Sequence, residues 1–444
     1  MSLPQYEGCI YLDYNATTPI FPEVSAAMQP FTSSCFGNPS SPHVFAAPCR
    51  TAIKTARQQV AELINVPAGD CEECIIFTSC GTEADNMAIN MALQHFKSGR
   101  QQQGEQLLPH IVTCAIEHPA ILLYLQTLTS RGEISLTVLP VDEQGFVDPA
   151  EVASALQPQT ACVSIMHSNN EVGTIQPMRE ISRLVAEYNC ATGSRALLHT
   201  DAAQSIGKVP IDVAAMGADL LTLVGHKYGA PKGVAALFVR KGVQAAPMLI
   251  GGGQERGRRA GTENVMLIAA LGEASRIARH EACVMLLSML ALKKRLIELL
   301  IQGLGADLLR FNGPRRSVDP GQLQDDLHLL RIILAGGAGR SSKGTSTDLN
   351  SASLLLEQLP NTISVSFRDV KVSDLMPLLV RSVACSAGSA CHSDSTHISP
   401  VLSAMRVPDE FALGTLRLSL GRHTTKAEVD TATGHIVRAV KSLL

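Results

Sequence analysis

Lys227 follows a continuous apolar run, Leu220–Val224, that predicts a buried strand. An ammonium group at the end of such a strand loses its hydration, which lowers the pKa of the lysine and frees the neutral amine. A neutral lysine amine attacks aldehydes and forms a Schiff base. The tripeptide Gly225–Lys227 is equally typical of an exposed loop, so this chemistry depends on the neighbouring groups.

Asp201 follows a second β-like run, Ala196–His199, about one helix and one strand before Lys227. A buried aspartate needs a positive partner, and a protonated pyridine nitrogen is one that turns the ring into an electron sink. An aspartate followed by Ala202 and Ala203 can also be a helix N-cap. Both interpretations stay open on these residues alone.

Three further β-like runs are also followed by candidate groups. Gly81 and Thr82 lie in a turn before a helical pattern, where free N–H groups suit a phosphate, although a capping box looks similar. His118 could stack on a cofactor ring or be an ordinary core histidine. Asn170 could hydrogen-bond a ring oxygen or belong to an Asx turn.

The elements that position these groups follow from the alternation of apolar runs and helical patterns between about residues 50 and 265. This alternation is typical of parallel strands buried on both faces, with helices as crossovers. The runs are Ile75–Thr78, Ile111–Cys114, Ala161–Met166, Ala196–His199 and Leu220–Val224. Ligands of such sheets bind beyond the carboxyl ends of the strands. One bound cofactor therefore explains all five groups better than five unrelated roles.

The C-terminal part carries two more candidates. Ser386–Asp394 is small and polar, which suits a mobile loop that carries an exposed thiol, Cys391. Such a cysteine is nucleophilic as the thiolate, which nearby positive charge or His392 would favour. Arg417 lies on a β-like run, and its planar guanidinium could grip a carboxylate in a bidentate manner or simply be an exposed strand arginine.

Bulk properties narrow the class of protein. The 444 residues exceed what one hydrophobic core usually organises, so we expect two domains. A net charge of −3 without a long basic run argues against a nucleic-acid partner. Val284–Leu292 is too short to cross a membrane and is interpreted as part of an amphipathic helix.

The twelve cysteines fit a reducing compartment. Residues 1–5 show neither a signal-peptide core nor an Arg-rich presequence, so the expected location is the cytosol. Cys71 and Cys74 form a C-x-x-C pair without a second pair at zinc-site spacing, and no metal is expected.

Together these motifs resemble the NifS-like group of class V aminotransferase-fold enzymes, which contains cysteine desulfurases and selenocysteine lyases. The matching stretches cover nearly the whole chain in the family's order: Tyr11–Pro19, Gly37–Ser41, Gly81–Glu83, Glu117–His118, Asn169–Gly173, His199–Gln204, Gly225–Lys227, Gly251–Asn264, Ser386–Ser393 and Leu416–Arg422. The resemblance implies an α/β fold of type I, with a mainly parallel seven-stranded sheet in a large domain over 20–265. A smaller α+β domain would comprise 1–19 and 266–444, with an inserted flexible segment near 314–352.

The resemblance also implies a cofactor, pyridoxal 5′-phosphate. The residues around it would be Lys227, Asp201, His118, Gln204, Asn170, Gly81, Thr82, His226 and Thr262. Lys227 would bind it covalently, Asp201 would pair with the ring nitrogen, and His118 would stack on the ring. Thr262 would reach the phosphate held by a partner subunit, which implies a homodimer.

The implied reaction removes selenium or sulfur from L-selenocysteine or L-cysteine and leaves L-alanine. Its catalytic residues would be Lys227, His118 and Cys391, and its substrate-binding residues Arg417, Asn170 and Asn38. Cys391 would take the chalcogen as a persulfide or perselenide and pass it to an acceptor protein.

Val224, where bacterial desulfurases often have a serine, favours a selenocysteine lyase, whereas Pro119 argues against strict selenium selectivity. A desulfurase that supplies iron–sulfur clusters or tRNA thiolation is the alternative. A non-catalytic scaffold homologue is a third hypothesis, although Lys227, Asp201 and Cys391 are all present.

Overall fold

A computed structural model describes residues 8–67, 69–101, 107–244, 246–338, 356–387 and 398–444. In chain order the strands are β1 Ile10–Tyr11, β2 Ile75–Thr78, β3 His110–Cys114, β4 Ser135–Leu139, β5 Thr160–Ser164, β6 Leu197–Asp201, β7 Leu220–Val224, β8 Ala235–Val239, β9 Leu309–Asn312, β10 Thr362–Phe367, β11 Val383–Ala384 and β12 Thr415–Ser419. The predicted site residue Cys391 and its neighbour His392 lie outside the described residues.

The helices lie between and around these strands. They are α1 Pro22–Met28, α2 Ala47–Leu63, α3 Cys71–Cys74, α4 Gly81–Gln101, α5 Pro119–Ser130, α6 Pro149–Ala155, α7 Met178–Thr192, α8 Val213–Met216, α9 Val265–Leu304, α10 Pro320–Ala338, α11 Val372–Leu379, α12 Pro400–Ala404, α13 Asp409–Ala412 and α14 Lys426–Lys441. Across the described ranges, no helix is both long and apolar enough to cross a membrane.

Seven strands form the central sheet in the order β2-β8-β7-β6-β5-β3-β4. Strands β4, β3, β5, β6 and β7 pair in parallel, whereas β8 is antiparallel to both β7 and β2. Because β8 runs against both of its neighbours, β2 points in the same direction as β7. The carboxyl ends of all five strands predicted to carry site residues therefore lie along one edge of the sheet, and the mainly parallel seven-stranded sheet is confirmed.

Two strands of this sheet lack the long apolar run that marks the others. Strand β4 is an edge strand whose side chains are mostly half-buried, so the run is interrupted. Strand β8 is fully buried but begins with Ala235 and Ala236, and alanine has a low preference for strands.

The sheet is buried on both faces because successive side chains of a strand point to opposite sides. In β2, Ile75 and Phe77 pack on the face that contacts helices α2, α7 and α9. Ile76, between them, packs on the opposite face against apolar residues of α4 and α5. The two layers of helices hold the sheet rigid, so the site at its edge lies on a firm support.

The C-terminal part contains a three-stranded antiparallel sheet in the order β12-β10-β9, and β1 pairs in parallel with β11. The core of this part combines β10 and β12 with helices α11 and α14. Helix α9 is 40 residues long and contributes to two cores. Leu286 and Leu290 pack in the core of the large sheet, and Leu296 and Leu300 in that of the small sheet.

Helix α10 corrects one expectation. The sequence analysis predicts a flexible insertion over 314–352, but Pro320–Ala338 is a helix. Leu323, Leu327 and Leu330 recur at helical spacing and are buried against the main core, whereas the flanking proline and glycines favoured a loop. Residues 339–355 lie outside the described part, and the proposed domain boundaries stay a prediction.

Candidate active site

Asp201 is the last residue of β6 and is almost fully buried. Its Oδ1 accepts the Ala203 N–H at 2.8 Å, so the aspartate does cap the following turn. Burial raises the pKa of Asp201, while this backbone hydrogen bond and the nearby His118 and Lys227 lower it. Burial outweighs these groups, so the pKa of Asp201 stays above its usual value, and the cap does not exclude a second role for the carboxylate.

Lys227 lies in the short turn after β7, one strand away from Asp201 in the sheet. Its Nζ donates hydrogen bonds to the backbone carbonyl oxygens of Asn15 at 2.7 Å and Ala16 at 3.1 Å. The N-terminal segment thus brings two neutral acceptors to the amine. These acceptors orient the lysine side chain at the edge of the sheet.

His118 is the N-cap of helix α5, after β3. Its Nδ1 accepts the Ala120 N–H at 3.1 Å, so in the neutral imidazole the proton is on Nε2. Burial lowers the pKa of His118, Asp201 raises it, and Lys227 lowers it further. His118 follows β3, Asp201 ends β6 and Lys227 follows β7, so the structure places all three at one edge of the sheet, where the sequence predicts them.

The beginning of helix α4 is formed by Gly81 and the exposed Thr82. A Cβ atom on Gly81 would lie 2.6 Å from Cγ2 of Val224, so the close approach of α4 to the end of β7 requires glycine. His226, two residues further on, bonds Thr17 Oγ1 through Nδ1 at 3.2 Å. Burial, followed by Lys227, lowers the pKa of His226 to about 4, which makes it a neutral group.

The start of helix α4 is also tied to the segment that carries Thr262. Arg259 donates two hydrogen bonds to Glu83, at 2.7 and 3.1 Å. Glu83 also accepts the Ser79 N–H at 2.8 Å. Thr262 itself is exposed on the single chain.

Arg417, on β12, is only 2% exposed, so the interpretation as an exposed strand arginine is wrong. Its Nη2 pairs with Asp13 at 2.7 Å and bonds Ser386 Oγ at 3.1 Å, and its Nη1 bonds the Asn170 carbonyl at 3.2 Å. The buried Nε of Arg417 has no hydrogen-bond partner within the described residues. This orphan N–H is a donor available to a ligand.

The two asparagines in the turn after β5 make different contacts. Asn169 Oδ1 accepts the N–H groups of Glu171 and Val172, which is an Asx turn. Asn170 is the residue that lies next to Arg417, through its carbonyl oxygen. Asn38 is exposed and accepts the Ser40 N–H, and it makes no hydrogen bond to another predicted site residue in the described ranges.

Two buried carboxyl groups near Asp201 were not identified from the sequence. Burial raises the pKa of Glu117 to about 8, and burial together with Asp201 raises that of Asp85 well above its usual value. One oxygen of each group, Asp85 Oδ1 and Glu117 Oε2, lacks a hydrogen-bond partner among the described residues. The sequence gives little indication of either carboxyl group. Glu117 lies in a turn directly before His118, and Asp85 lies in helix α4, three residues after Thr82.

Asn15 and Lys208 are the other missed residues. Asn15 is buried and contacts Lys227, Gln204, Asn170 and Lys208. Asn15 lies in one of the resembling stretches, and Lys208 is a lysine between the apolar Ile206 and Val209. A lysine in an apolar stretch was the available signal for Lys208.

The remaining cysteine of the C-terminal stretch is not a candidate nucleophile. Cys385 is buried, and burial raises its pKa to about 12, so it stays a thiol. In the part of the chain that the structure describes, no group of three or more His, Cys, Asp or Glu side chains could hold a metal ion. The arrangement as a whole can hold an aromatic aldehyde between Lys227, Asp201 and His118.

Comparisons with known proteins agree with this geometry. The family model described as aminotransferase class-V matches residues 10–317 and 347–431. The chain is 38% identical over 436 residues to a cysteine desulfurase IscS of Dictyoglomus turgidum, covering 98% of this chain and 95% of that protein. It is 36% identical over 453 residues to a selenocysteine lyase of Bos taurus, covering 98% and 94%.

Among solved structures, a NifS-like protein superposes with a TM-score of 0.78 at 31% identity, covering 98% of this chain and 100% of that one. The similarity therefore extends over both sheets and includes every strand that ends at the site. On this evidence the chain belongs to the class-V aminotransferase family.

Proposed function

We propose that this protein is a pyridoxal-phosphate-dependent lyase that removes selenium or sulfur from L-selenocysteine or L-cysteine and leaves L-alanine. The observation that carries the proposal is the meeting of Lys227, Asp201 and His118 at one sheet edge. This meeting occurs in a chain that is similar over nearly its full length to a cysteine desulfurase and a selenocysteine lyase.

The residues present fit pyridoxal phosphate. Asp201 is a buried carboxylate whose recorded hydrogen bond is to one backbone N–H, so it can also accept one from a ring nitrogen. Gly81 allows α4 to begin directly against Val224 at the end of β7, and the N–H groups of a first helical turn suit a phosphate. Thr82, His226 and, from the partner subunit, Thr262 would complete the phosphate contacts.

When bound, the cofactor supplies an aldehyde for amines and a ring that withdraws electrons from the substrate Cα. Asp201 would hold a proton on the ring nitrogen, and His118 would stack on the ring. Gln204 would hydrogen-bond the ring oxygen. Lys227 would be the covalent anchor, and its free amine would move the Cα proton.

Arg417 orients the substrate through its α-carboxylate. Its two terminal nitrogens are held by Asp13, Ser386 and Asn170, and its Nε–H remains for the ligand. Asn170 and Asn38 would contribute further substrate contacts. The Cys391 thiolate then attacks the chalcogen: its sulfur forms the new bond, the bond from Cβ to the chalcogen breaks, and Cβ receives a proton to give alanine.

Sulfur release from L-cysteine is the second candidate reaction. The two kinds of relative, a desulfurase and a selenocysteine lyase, are almost equally similar to the chain, at 38% and 36% identity. Val224, which contacts the start of α4, favours the lyase. Release of the chalcogen to an acceptor protein and a cytosolic location are part of the same proposal.

A homodimer is also part of the proposal. Phe36 is 73% exposed and stacks with the exposed Phe45 at 5.7 Å between ring centroids. Val44 and Ile250 are exposed as well. Exposed apolar side chains of this size support an interface with a second copy, to which Thr262 would contribute.

The test combines absorbance, covalent mapping and turnover. Purified protein mixed with pyridoxal phosphate should develop visible absorbance, and borohydride reduction should fix the cofactor on Lys227, as located by peptide mass. L-Cysteine and L-selenocysteine, supplied separately, should each be assayed for alanine together with sulfide or selenide. Lys227→Ala should lose both the absorbance and turnover, whereas Lys232→Ala, an exposed lysine in the same loop, should keep them.

A colourless wild-type protein, or a label on another lysine, would contradict the proposal. Cys391→Ser should abolish sulfur release. Selenium release that survives in this variant would restrict the thiol's role to the sulfur substrate.

A further inference from the structure

Lys208 is a buried lysine that the roles given above do not use. It lies four residues after Gln204 and is 8% exposed. Burial lowers its pKa well below the usual value, and the positive charges of Lys227 and Arg417 lower it further. A lysine is rarely buried among like charges without a specific function for its nitrogen.

The Lys208 nitrogen donates two hydrogen bonds, to Asn15 Oδ1 at 3.0 Å and to Gln204 Oε1 at 2.9 Å. A neutral amine has two N–H groups and an ammonium has three, so both bonds form in either protonation state. Because Lys208 takes the oxygen end of the Gln204 amide, the Nε2 end is directed to the Asn15 carbonyl at 3.0 Å. Lys208 therefore fixes which end of this amide is the donor.

The Asn15 carbonyl oxygen is also the acceptor for Lys227 Nζ, at 2.7 Å. Lys227 and Gln204 thus share one oxygen atom, and the residue that supplies it is anchored through its side chain by Lys208. Without Lys208, the Gln204 amide could turn its oxygen towards the Asn15 carbonyl, where two acceptors repel each other.

We propose that Lys208 is a positioning residue for Lys227: it holds Asn15 and Gln204, the two residues that frame the Lys227 amine. The inference rests on the proposed function of Lys227 as the covalent anchor of the cofactor. The two hydrogen bonds of Lys208 form in either protonation state and carry this role. Lys208 thereby keeps the Asn15 carbonyl in place as an acceptor for the Lys227 nitrogen.

The test uses Lys208→Met in the cofactor-loaded protein. This variant keeps the apolar stem of the lysine and removes both hydrogen bonds. The main readout is the pH midpoint at which the visible absorbance of the bound cofactor changes, which reports protonation at Lys227 Nζ. The Asn15 carbonyl accepts a hydrogen bond from this nitrogen and so favours its protonated form, and the loss of the Lys208 anchor should therefore lower the midpoint by about one pH unit.

Catalysis gives the second readout. With the Gln204 amide and Asn15 no longer held, kcat should fall about tenfold in Lys208→Met. The KM for the amino acid should change less, because Arg417 keeps its own partners Asp13 and Ser386.

Lys293→Met is the matched control. Lys293 is also fully buried, and its nitrogen also donates to two oxygens, those of the Gln358 amide and the Leu359 carbonyl. It lies on α9 and bonds none of the residues that frame Lys227. Both variants should lower the melting temperature, but the midpoint should move only in Lys208→Met.

The possible outcomes distinguish a failure of the proposed function from a failure of the role of Lys208. A wild-type protein without cofactor absorbance would overturn the proposed function, and with it this inference. A normal wild-type spectrum with the same midpoint and kcat in Lys208→Met would overturn the role of Lys208 alone. If Lys208→Met fails to fold, Lys208→Gln, a polar but shorter side chain, should still show the lowered midpoint, and an unchanged midpoint there contradicts the inference.

Discussion

The two sides of the candidate site differ in charge. On the side built from the ends of β3, β6 and helix α4, three buried carboxyl groups lie near one another: Asp85, Glu117 and Asp201. On the side built from the N-terminal segment, β7 and β12, three basic side chains interact, namely Lys208, Lys227 and Arg417. In the proposed function, the acidic side would supply the partner of the ring nitrogen, and the basic side the amine and the group that binds the substrate carboxylate.

The two sides also differ in how the energetic cost of burying ionisable side chains is offset. The two flanking acids are held in their neutral form, because burial raises their pKa and nearby negative charge opposes ionisation. On the basic side, Arg417 pairs with the Asp13 carboxylate, and Lys227 donates to backbone carbonyls. In the proposed function, Asp201 is the carboxylate of the acidic side that would face the ring nitrogen.

The largest expected effect follows from removing that carboxylate's charge. Asp201→Asn keeps the shape of the side chain and can still accept the Ala203 N–H, but it cannot hold a proton on a ring nitrogen. We expect kcat to fall about 10³-fold, as in the removal of a preorganised electrostatic group. Steady-state alanine formation measures this fall in kcat. A loss below tenfold would mean that the Asp201 carboxylate does not take part in the reaction.

An intermediate effect is expected from the basic side. Arg417→Lys keeps a positive charge for Asp13 but loses the planar fork and the buried Nε–H. The KM for the amino acid should rise about 30-fold to 100-fold, equivalent to the loss of a charge-assisted hydrogen bond. Initial rates over a range of substrate concentrations test this, and an unchanged KM would remove Arg417 from substrate binding.

The smallest effect on catalysis is expected for Glu117→Gln, whose clearest signal is in stability. The folded-state pKa of about 8 lies above the unfolded value, so the folded protein binds the extra proton. Stability contributed by this group is therefore full at low pH and is lost as the pH rises from about 4.5 to about 8. The slope is at most about 1.4 kcal/mol per pH unit.

Urea titrations at pH 5.5 and 8.0 measure this slope in the free energy of unfolding. Glu117→Gln should lose it and change kcat at pH 7 by less than about threefold, because glutamine mimics the protonated acid. Glu151→Gln, at an exposed position on α6, serves as the control and should behave like the wild type. A wild-type protein whose stability does not fall over this range would contradict the neutral form of Glu117.

Much of the site could be predicted because its residues follow strands with strong local signals. Lys227 and Asp201 closely follow apolar runs, and the parallel arrangement of those runs places their ends on one edge. The division of the site into an acidic and a basic side could not be predicted in this way. It depends on the burial of Asp85 and Lys208 and on the return of the N-terminal segment to the sheet, which are long-range contacts without a local pattern.

The same limit explains the errors in the fold. Strand β4 is half exposed, and β8 is rich in alanine, so neither has the composition of a typical buried strand. Helix α10 was taken for an insertion without structure because proline and glycines flank its leucine stripe. In each case packing against a distant element, rather than local preference, decided the structure.

Helix α9 acts as a continuous strut between the two sheets, because its first half packs with the sheet that carries Lys227 and its second half with the sheet that carries Arg417. One regular helix of 40 residues thus connects the supports of these two side chains. In the proposed function, a fixed spacing between Lys227 and Arg417 would favour substrates whose amino and carboxyl groups flank a single carbon. We expect an amino acid with one more carbon between these groups to be a poorer substrate, even with the same side chain.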